Sequence, residues 1–396
     1  MNAIAAANDS GLTQEERAEQ ERMVLDAVER FLERDVAPYA HKLEAEDAWP
    51  EEIVAKMCEL GLFGATIGEE WGGLGLSATT YTKIVERVSR VWMSISGIFN
   101  SHLIMAAAIE RSGTEAQKAA WLPRFATGEL RGGIALTEPD AGTDLQAIRL
   151  RAEKCEGGYK LNGTKMWISN AYHGHILAVL AKTDLEAKPR HKGMSLFLVE
   201  KGEGFNVSKK LEKLGYKGID SAGFTLDDCF VPDANLVGEI EGRGMQQILG
   251  GLELGRINVA ARGVGIARAC LEESVHYAQI RKTFGKPIAE HQAIQLKLAD
   301  MATQVEAARL LVEQAAAAYD RKERCDMEAG MAKLFATEAA LHNSLEAMRL
   351  HGAYGYAKEY NIERYYRDAP LLAIAEGTNE MQRLIIAKQL VQRHPA

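Results

Sequence analysis

The chain has 396 residues, of which 47% are hydrophobic and 26% charged, and a formal net charge of -8. That length supports a large buried core in two or three units, and the composition is not that of a disordered chain. The acidic balance argues against a phosphate-backbone partner, so no nucleic acid is expected, although a few local Arg and Lys can hold a single anion.

The five cysteines, Cys58, Cys155, Cys229, Cys270 and Cys325, are scattered and form no CxxC pair. Neither a disulfide framework nor a metal site is expected, and a reducing, cytoplasmic setting fits best. Met1 to Asn8 has no basic start followed by a long apolar run, and no stretch reaches about 18 consecutive apolar residues, so neither a secretory signal nor membrane insertion is expected.

In chain order, helices come first. Thr13 and Glu16 have capping-box spacing, and Val24, Val28, Phe31 and Leu32 follow on one helix face, a run closed by Pro38. Ile53 to Leu62 and Thr80 to Val91 are further amphipathic stretches, with Gly72, Gly73 and Gly75 marking a loop between them. The pattern turns strand-like from about Gly132 to Gly238. Tyr159 to Trp167, His175 to Lys182, Met194 to Val199 and Gly223 to Leu226 are short apolar or alternating runs. Gly157-Gly158 and Asn162-Gly163 read as turns, the latter as a two-residue hairpin. No useful helix fits between these strands, so an antiparallel barrel or sandwich is predicted rather than a parallel sheet. Helices return after Gly244, and Ile294, Leu298, Met301, Val305 and Ala308 keep helical spacing. The units are 1–130, 131–240 and 241–396: helical, β and helical, a mostly α member of the α+β class.

Five segments carry polar or small residues in patterns that suit chemistry. Ile134 to Asp144 sets hydroxyls beside a Pro and a Gly, as a ligand-lining loop or an ordinary helix-to-strand turn would. In Lys165 to Asn170, Trp167 and Ser169 share one strand face, where an indole can stack on a cofactor or close a core. Arg281 to Pro287 collects three cations and a hydroxyl, suited to a phosphate or to a solvated helix end. Arg349 to Tyr356 holds two glycines that permit close backbone approach or end a helix. Glu376 follows an apolar run and precedes Gly377, so its pKa should be raised, as a general base requires. The same stretch reads as a helix start capped by Thr378 or Asn379, with Glu380 in the first turn. Gly263-Val264-Gly265 is half a dinucleotide fingerprint and follows no strand.

In order, "ALTEPDAGTD", "LNGTKMWISN", "RKTFGKPIAEHQAI", "HGAYGYAKEY" and "AEGTNEMQRLIIAK" resemble the acyl-CoA dehydrogenase family over nearly the whole chain. The resemblance implies FAD, an acyl-CoA substrate, an electron-transferring flavoprotein as acceptor, and a homotetramer built as a pair of dimers. By that likeness Ile134, Leu136, Thr137, Gly142 and Thr143 line the flavin, and Thr143 also the thioester. Trp167 and Ser169 meet the flavin ring. Arg281, Thr283 and Phe284, with Arg349, Gly352 and Ala353, reach a neighbouring subunit's FAD. Glu376 is the base, Thr378 and Glu380 contact FAD, and Glu253, Arg256 and Gly377 touch substrate.

Positions 349, 353 and 375 depart from the family's usual residues, being Arg, Ala and Ala where Gln or an acid, Gly, and Tyr or Gly are common. Some members carry the base at the position of Gly255, which cannot serve. An oxidase or monooxygenase of the same fold, and a catalytically silent scaffold, are the alternative readings.

Overall fold

The computed structural model describes residues 14–395. Helices α1 (Gln14–Phe31), α2 (Ala37–Ala45), α3 (Glu51–Glu59), α4 (Ala78–Ser112) and α5 (Glu115–Ala126) come first. Strands β1 (Gly132–Ala135), β2 (Arg151–Cys155), β3 (Gly158–Ser169), β4 (Ile176–Lys182), β5 (Met194–Glu200), β6 (Phe205–Lys210) and β7 (Ser221–Pro232) follow. Helices α6 (Gly244–Ile280), α7 (Gln292–Asp320), α8 (Asp326–His351), α9 (Ile362–Ile374) and α10 (Asn379–Arg393) complete the chain.

The expected helix–β–helix order is present. Thr13 of the expected capping box lies outside the described residues. Pro38 does not close a run: the first helix passes through a π turn at Leu32–Val36, and Pro38 sits in the first turn of α2, where a missing N–H costs nothing.

Helix α4 runs far beyond the predicted stretch and breaks at Trp92, whose backbone is extended (φ -156°, ψ 101°). By length and composition it could cross a bilayer, but almost all of its apolar window is buried inside the protein, as in a soluble core helix. Gly263 and Gly265 lie in mid-α6 and serve packing. A Cβ at Gly263 would stand 2.7 Å from the Ala336 carbonyl of α8, and one at Gly265 2.6 Å from the Glu86 carbonyl of α4.

The sheet is a curled half-barrel, mostly antiparallel, with one feature the pattern did not announce. Strand β4 pairs antiparallel with β5 but parallel with β1, from Gly132↔Ile176 to Ala135↔Val179. It also meets β2 in parallel at Arg151↔Lys182. Both faces of β4 are buried: Ile176, Ala178 and Leu180 join the helical core, while Leu177, Val179 and Ala181 fill the half-barrel.

The Asn162-Gly163 hairpin is overturned. Both residues lie inside β3, at a register shift opposite β7, and the turn into β3 is at Glu156-Gly157. Gly163 has φ +141°, and a Cβ there would come within 2.8 Å of the Leu150 Cα. A close backbone crossing, not a turn, requires this glycine.

His102 joins α4 to the sheet. Its Nδ1 accepts from the Gly132 N–H at 3.3 Å, so Nε2 carries the proton and donates to the Phe125 carbonyl at 3.1 Å. Burial draws its pKa down from 6.5 to about 4. The unfolded chain binds this proton below 6.5 and the folded chain only below about 4. Stability should therefore fall as pH drops through that window, by up to about 3 kcal/mol from this group. Urea unfolding at pH 7.5 and pH 5 should show a steeper pH dependence for wild type than for His102→Gln; equal slopes would refute the assignment.

Candidate active site

Glu376 sits in the short turn between α9 and α10. Its φ is +53°, a left-handed conformation unfavourable for a glutamate, and Gly377 follows at +89°. The turn is held on both sides. Lys333 of α8, fully buried, donates to the Ala373 carbonyl at 3.3 Å and to Asn379 Oδ1 at 2.9 Å. Asn379 also exchanges bonds with Thr337 and donates to Glu338. Thr378 caps α10, accepting from the Met381 N–H at 3.4 Å. The helix-start reading of this segment holds, with Thr378 as the cap. Glu380 lies exposed in the first turn, its carboxyl lowered by its own N–H and the Thr378 hydroxyl.

The Glu376 carboxylate points into the protein. Oε1 accepts from Asn100 Nδ2 of α4 at 3.1 Å, and Oε2 is buried with no partner among the described residues. Gly255 of α6 makes the room: a Cβ there would lie 2.2 Å from Oε2. Burial raises the carboxyl above its ordinary range, against the pull of Arg262, Lys333, the Asn100 bond and Arg256. An ionisable oxygen left unbonded at a glycine-sized gap is what a reactive carboxylate needs and what a structural one avoids.

Asn100 links this turn to the sheet. The next residue, Ser101, packs on Gly133 of β1, where a Cβ would meet its Oγ at 2.4 Å and the Ser169 carbonyl at 3.1 Å. Met166 N–H donates to the Thr137 carbonyl at 3.0 Å, so the Ile134–Thr143 segment lies along the end of β3.

A buried ion pair fixes that junction. Lys165, 0% exposed, donates to Glu138 Oε1 at 2.9 Å and to the Leu136 carbonyl at 2.8 Å. Glu138 also accepts from the backbone N–H groups of Arg149 and Leu150. Burial draws the Lys165 ammonium down to about 8, with Glu138 opposing. Beside this pair a register shift turns Trp167 outward at φ +63° and 58% exposed, with Ile168 buried between it and half-buried Ser169. Among the described residues the Thr137 and Ser169 hydroxyls make no side-chain hydrogen bond, and Gly142 and Thr143 are exposed nearby in sequence.

An outward indole on a strained bulge, flanked by the Thr137 and Ser169 hydroxyls, fits a flat aromatic cofactor with a polar edge. Among the described residues, no group of three His, Cys, Asp or Glu could hold a metal ion.

The other predicted residues form a second cluster. Arg281 lies over the Tyr354 ring at 5.7 Å, and Tyr277 stacks on His351, so the Arg281–Phe284 and Arg349–Ala353 segments come together. Phe284 is 97% exposed, and Arg349 pairs with Glu346. Arg281, just past the end of α6, is 26 residues beyond Gly255, roughly 39 Å along the helix, so the two clusters are well separated within one chain. Glu253 and Arg256, by contrast, flank Gly255. Burial raises the Glu253 carboxyl, and Arg256 Nε is buried without a partner among the described residues.

Family models agree with this architecture: the acyl-CoA dehydrogenase N-terminal, middle and C-terminal domains match residues 18–129, 133–229 and 242–391. A Bacillus subtilis acyl-CoA dehydrogenase is 41% identical over 94% of this chain and 98% of its own length. The chain belongs to the acyl-CoA dehydrogenase family. It is therefore an FAD-dependent oxidoreductase acting on acyl-CoA.

Further family members are close in sequence and shape. A Cereibacter sphaeroides (2S)-methylsuccinyl-CoA dehydrogenase is 39% identical over 94% of this chain and 70% of its own length. The butyryl-CoA dehydrogenase of Megasphaera elsdenii superposes with TM-score 0.91 at 34% identity, covering 97% of this chain and all of its own. Asn100, Lys333 and the Lys165–Glu138 pair were not singled out from sequence. Each is a polar residue in an ordinary helical or alternating pattern, and only burial reveals its role.

Proposed function

We propose that this protein catalyses α,β-dehydrogenation of an acyl-CoA thioester to the 2-enoyl-CoA, with Glu376 as the base. The observation that carries this reading is the buried, unpartnered Glu376 Oε2 facing Gly255. Bound FAD supplies the acceptor for the β-hydrogen, which leaves as hydride.

Glu376 Oε2 takes the α-proton, and its raised pKa suits it to hold that proton once gained. Asn100 keeps the other oxygen in place. As the α C–H bond breaks, the thioester oxygen gains negative charge. The Glu376 backbone N–H, which donates to no backbone carbonyl among the described residues, is the donor this turn offers, and one such donor is worth roughly 3 kcal/mol. Trp167, Thr137 and Ser169, with Ile134, Leu136, Gly142, Thr143, Thr378 and Glu380, would hold the flavin portion. Glu253, Arg256 and Gly377 would meet the substrate.

The separation of the second cluster supports a homotetramer, in which Arg281, Thr283, Phe284, Arg349, Gly352 and Ala353 of one subunit complete a neighbour's FAD site. An electron-transferring flavoprotein is the proposed acceptor, and a cytoplasmic location accords with the free cysteines. Anaerobic mixing of FAD-loaded protein with a panel of acyl-CoA thioesters should bleach the flavin with at least one of them. Flavin that stays oxidised with all would refute the reading, and reoxidation of reduced protein chiefly by O₂ would favour an oxidase.

A further inference from the structure

Helix α6 carries a polar stripe in an apolar face. Gly255, Asn258 and Arg262 stand three and seven residues apart, on one side of the helix, among buried Ile257, Val259, Ala260 and Ala261. Gly255 abuts the Glu376 carboxylate. Asn258 Nδ2 donates to the Tyr81 hydroxyl at 2.9 Å, and Tyr81 donates to Asn100 Oδ1 at 3.3 Å, so the stripe connects back to the base.

Arg262 is the anomaly. It is 4% exposed and makes no ion pair with any carboxylate among the described residues. Its one hydrogen bond runs from Nη1 to the Tyr216 hydroxyl at 3.2 Å, with the Tyr216 ring 5.9 Å away, and its Nε is buried without a partner. Tyr216 offers no compensating charge, since burial holds its phenol above its ordinary value. The Asn258 Oδ1 is also buried and unbonded.

Arg256 has Glu253 and Asp326 near it, and Lys333 has Glu380 and Glu338. Arg262 helps hold the Glu376 carboxyl down, yet it forms no ion pair with Glu376 or any other carboxylate among the described residues. A buried guanidinium without an ion-paired carboxylate is unfavourable, so such a site can take an anion that arrives later.

We propose that Arg262 is a specificity residue that binds a carboxylate at the far end of a short acyl chain, making dicarboxylic acyl-CoA thioesters the preferred substrates. This rests on the dehydrogenation reading above. Arg262 lies two turns, about 10 Å, along α6 from Gly255, and helical side chains lean toward the N-terminus, so its guanidinium extends back toward the base. That spacing suits an anionic group a few carbons beyond the α-carbon. The carboxylate would meet Arg262 and leave Glu376 to accept the α-proton.

The test compares glutaryl-CoA with pentanoyl-CoA, which has the same chain length and no terminal charge. Dissociation constants are measured on FAD-loaded Glu376→Gln, which should bind without reacting, and flavin bleaching on the wild type. Glutaryl-CoA should bind at least about thirtyfold more tightly. Adding Arg262→Gln to each background should abolish that preference in both readouts while changing the dissociation constant of pentanoyl-CoA by no more than about threefold, and Arg262→Lys should restore part of it.

Equal binding of the two thioesters before Arg262 is altered would overturn the proposal, even if the Gln variant does not fold. Equal loss for both thioesters in Arg262→Gln would also overturn it, reducing Arg262 to a fixed counter-ion of Glu376. If glutaryl-CoA binds with the expected preference but neither thioester bleaches the flavin, the carboxylate site stands and the dehydrogenation reading fails.

Discussion

Glu376→Gln should retain FAD and bind acyl-CoA but reduce its flavin about 10²–10⁴-fold more slowly than the wild type. Gln is nearly isosteric, and its amide oxygen can still accept from Asn100 where Oε1 does now. The turn is held by Lys333, Asn379 and the Thr378 cap, none of which touches the Glu376 side chain, so the left-handed backbone should persist. Only the proton acceptor at the Gly255 gap is lost.

The deficit should therefore appear in the chemical step and not in the dissociation constant. In the wild type the base must be deprotonated, so the bleaching rate should fall as pH drops through the raised pKa of Glu376. That limb should vanish in the variant. Stopped-flow bleaching across pH checks both points, and a variant within about tenfold of the wild-type rate would require another base.

Lys165→Met should cost about 3–5 kcal/mol of stability and weaken flavin retention. Met fills a similar volume, so the loss is electrostatic. The Glu138 carboxylate would remain buried with two backbone N–H donors but no cation, and the Leu136 carbonyl would lose its ammonium donor. Both groups belong to the loop that runs beside Trp167. Replacing both partners, as in Lys165→Met with Glu138→Leu, should cost less than the single change, because no lone charge is then buried. Urea unfolding at a fixed FAD concentration measures the difference once the linkage contribution from each variant's FAD dissociation constant is subtracted. A single variant within 1 kcal/mol of the wild type would show that Glu138 is solvated and the pair unimportant.

Much of the architecture was legible because it rests on local rules. Apolar spacing placed α7 through Met301, Val305 and Ala308, all buried, and strand alternation located β3, β4, β5 and β7. The half-fingerprint at Gly263 and Gly265 was rightly set aside, since it lacks a preceding strand. What failed locally failed for a non-local reason. Asn162-Gly163 has the chemistry of a hairpin turn, yet Leu150 crosses it and keeps the residues in a strand. Pro38 reads as a stop, yet a π turn before it lets a new helix begin there.

The candidate site divides in the same way. The sequence by itself determined the order of helical and β units, the apolar approach to Glu376, the flexible Gly377 and a helix start capped by Thr378 or Asn379, because these depend on neighbours a few residues away. Only the tertiary structure decided that Asn100, Gly255 and Lys333 converge on the Glu376 turn from three different helices, and that Lys165 and Arg262 are buried cations. A lysine in an alternating strand and an arginine in a long helix have the same local pattern whether they face water or the interior. What separates them is desolvation, which depends on what packs against them from distant parts of the chain.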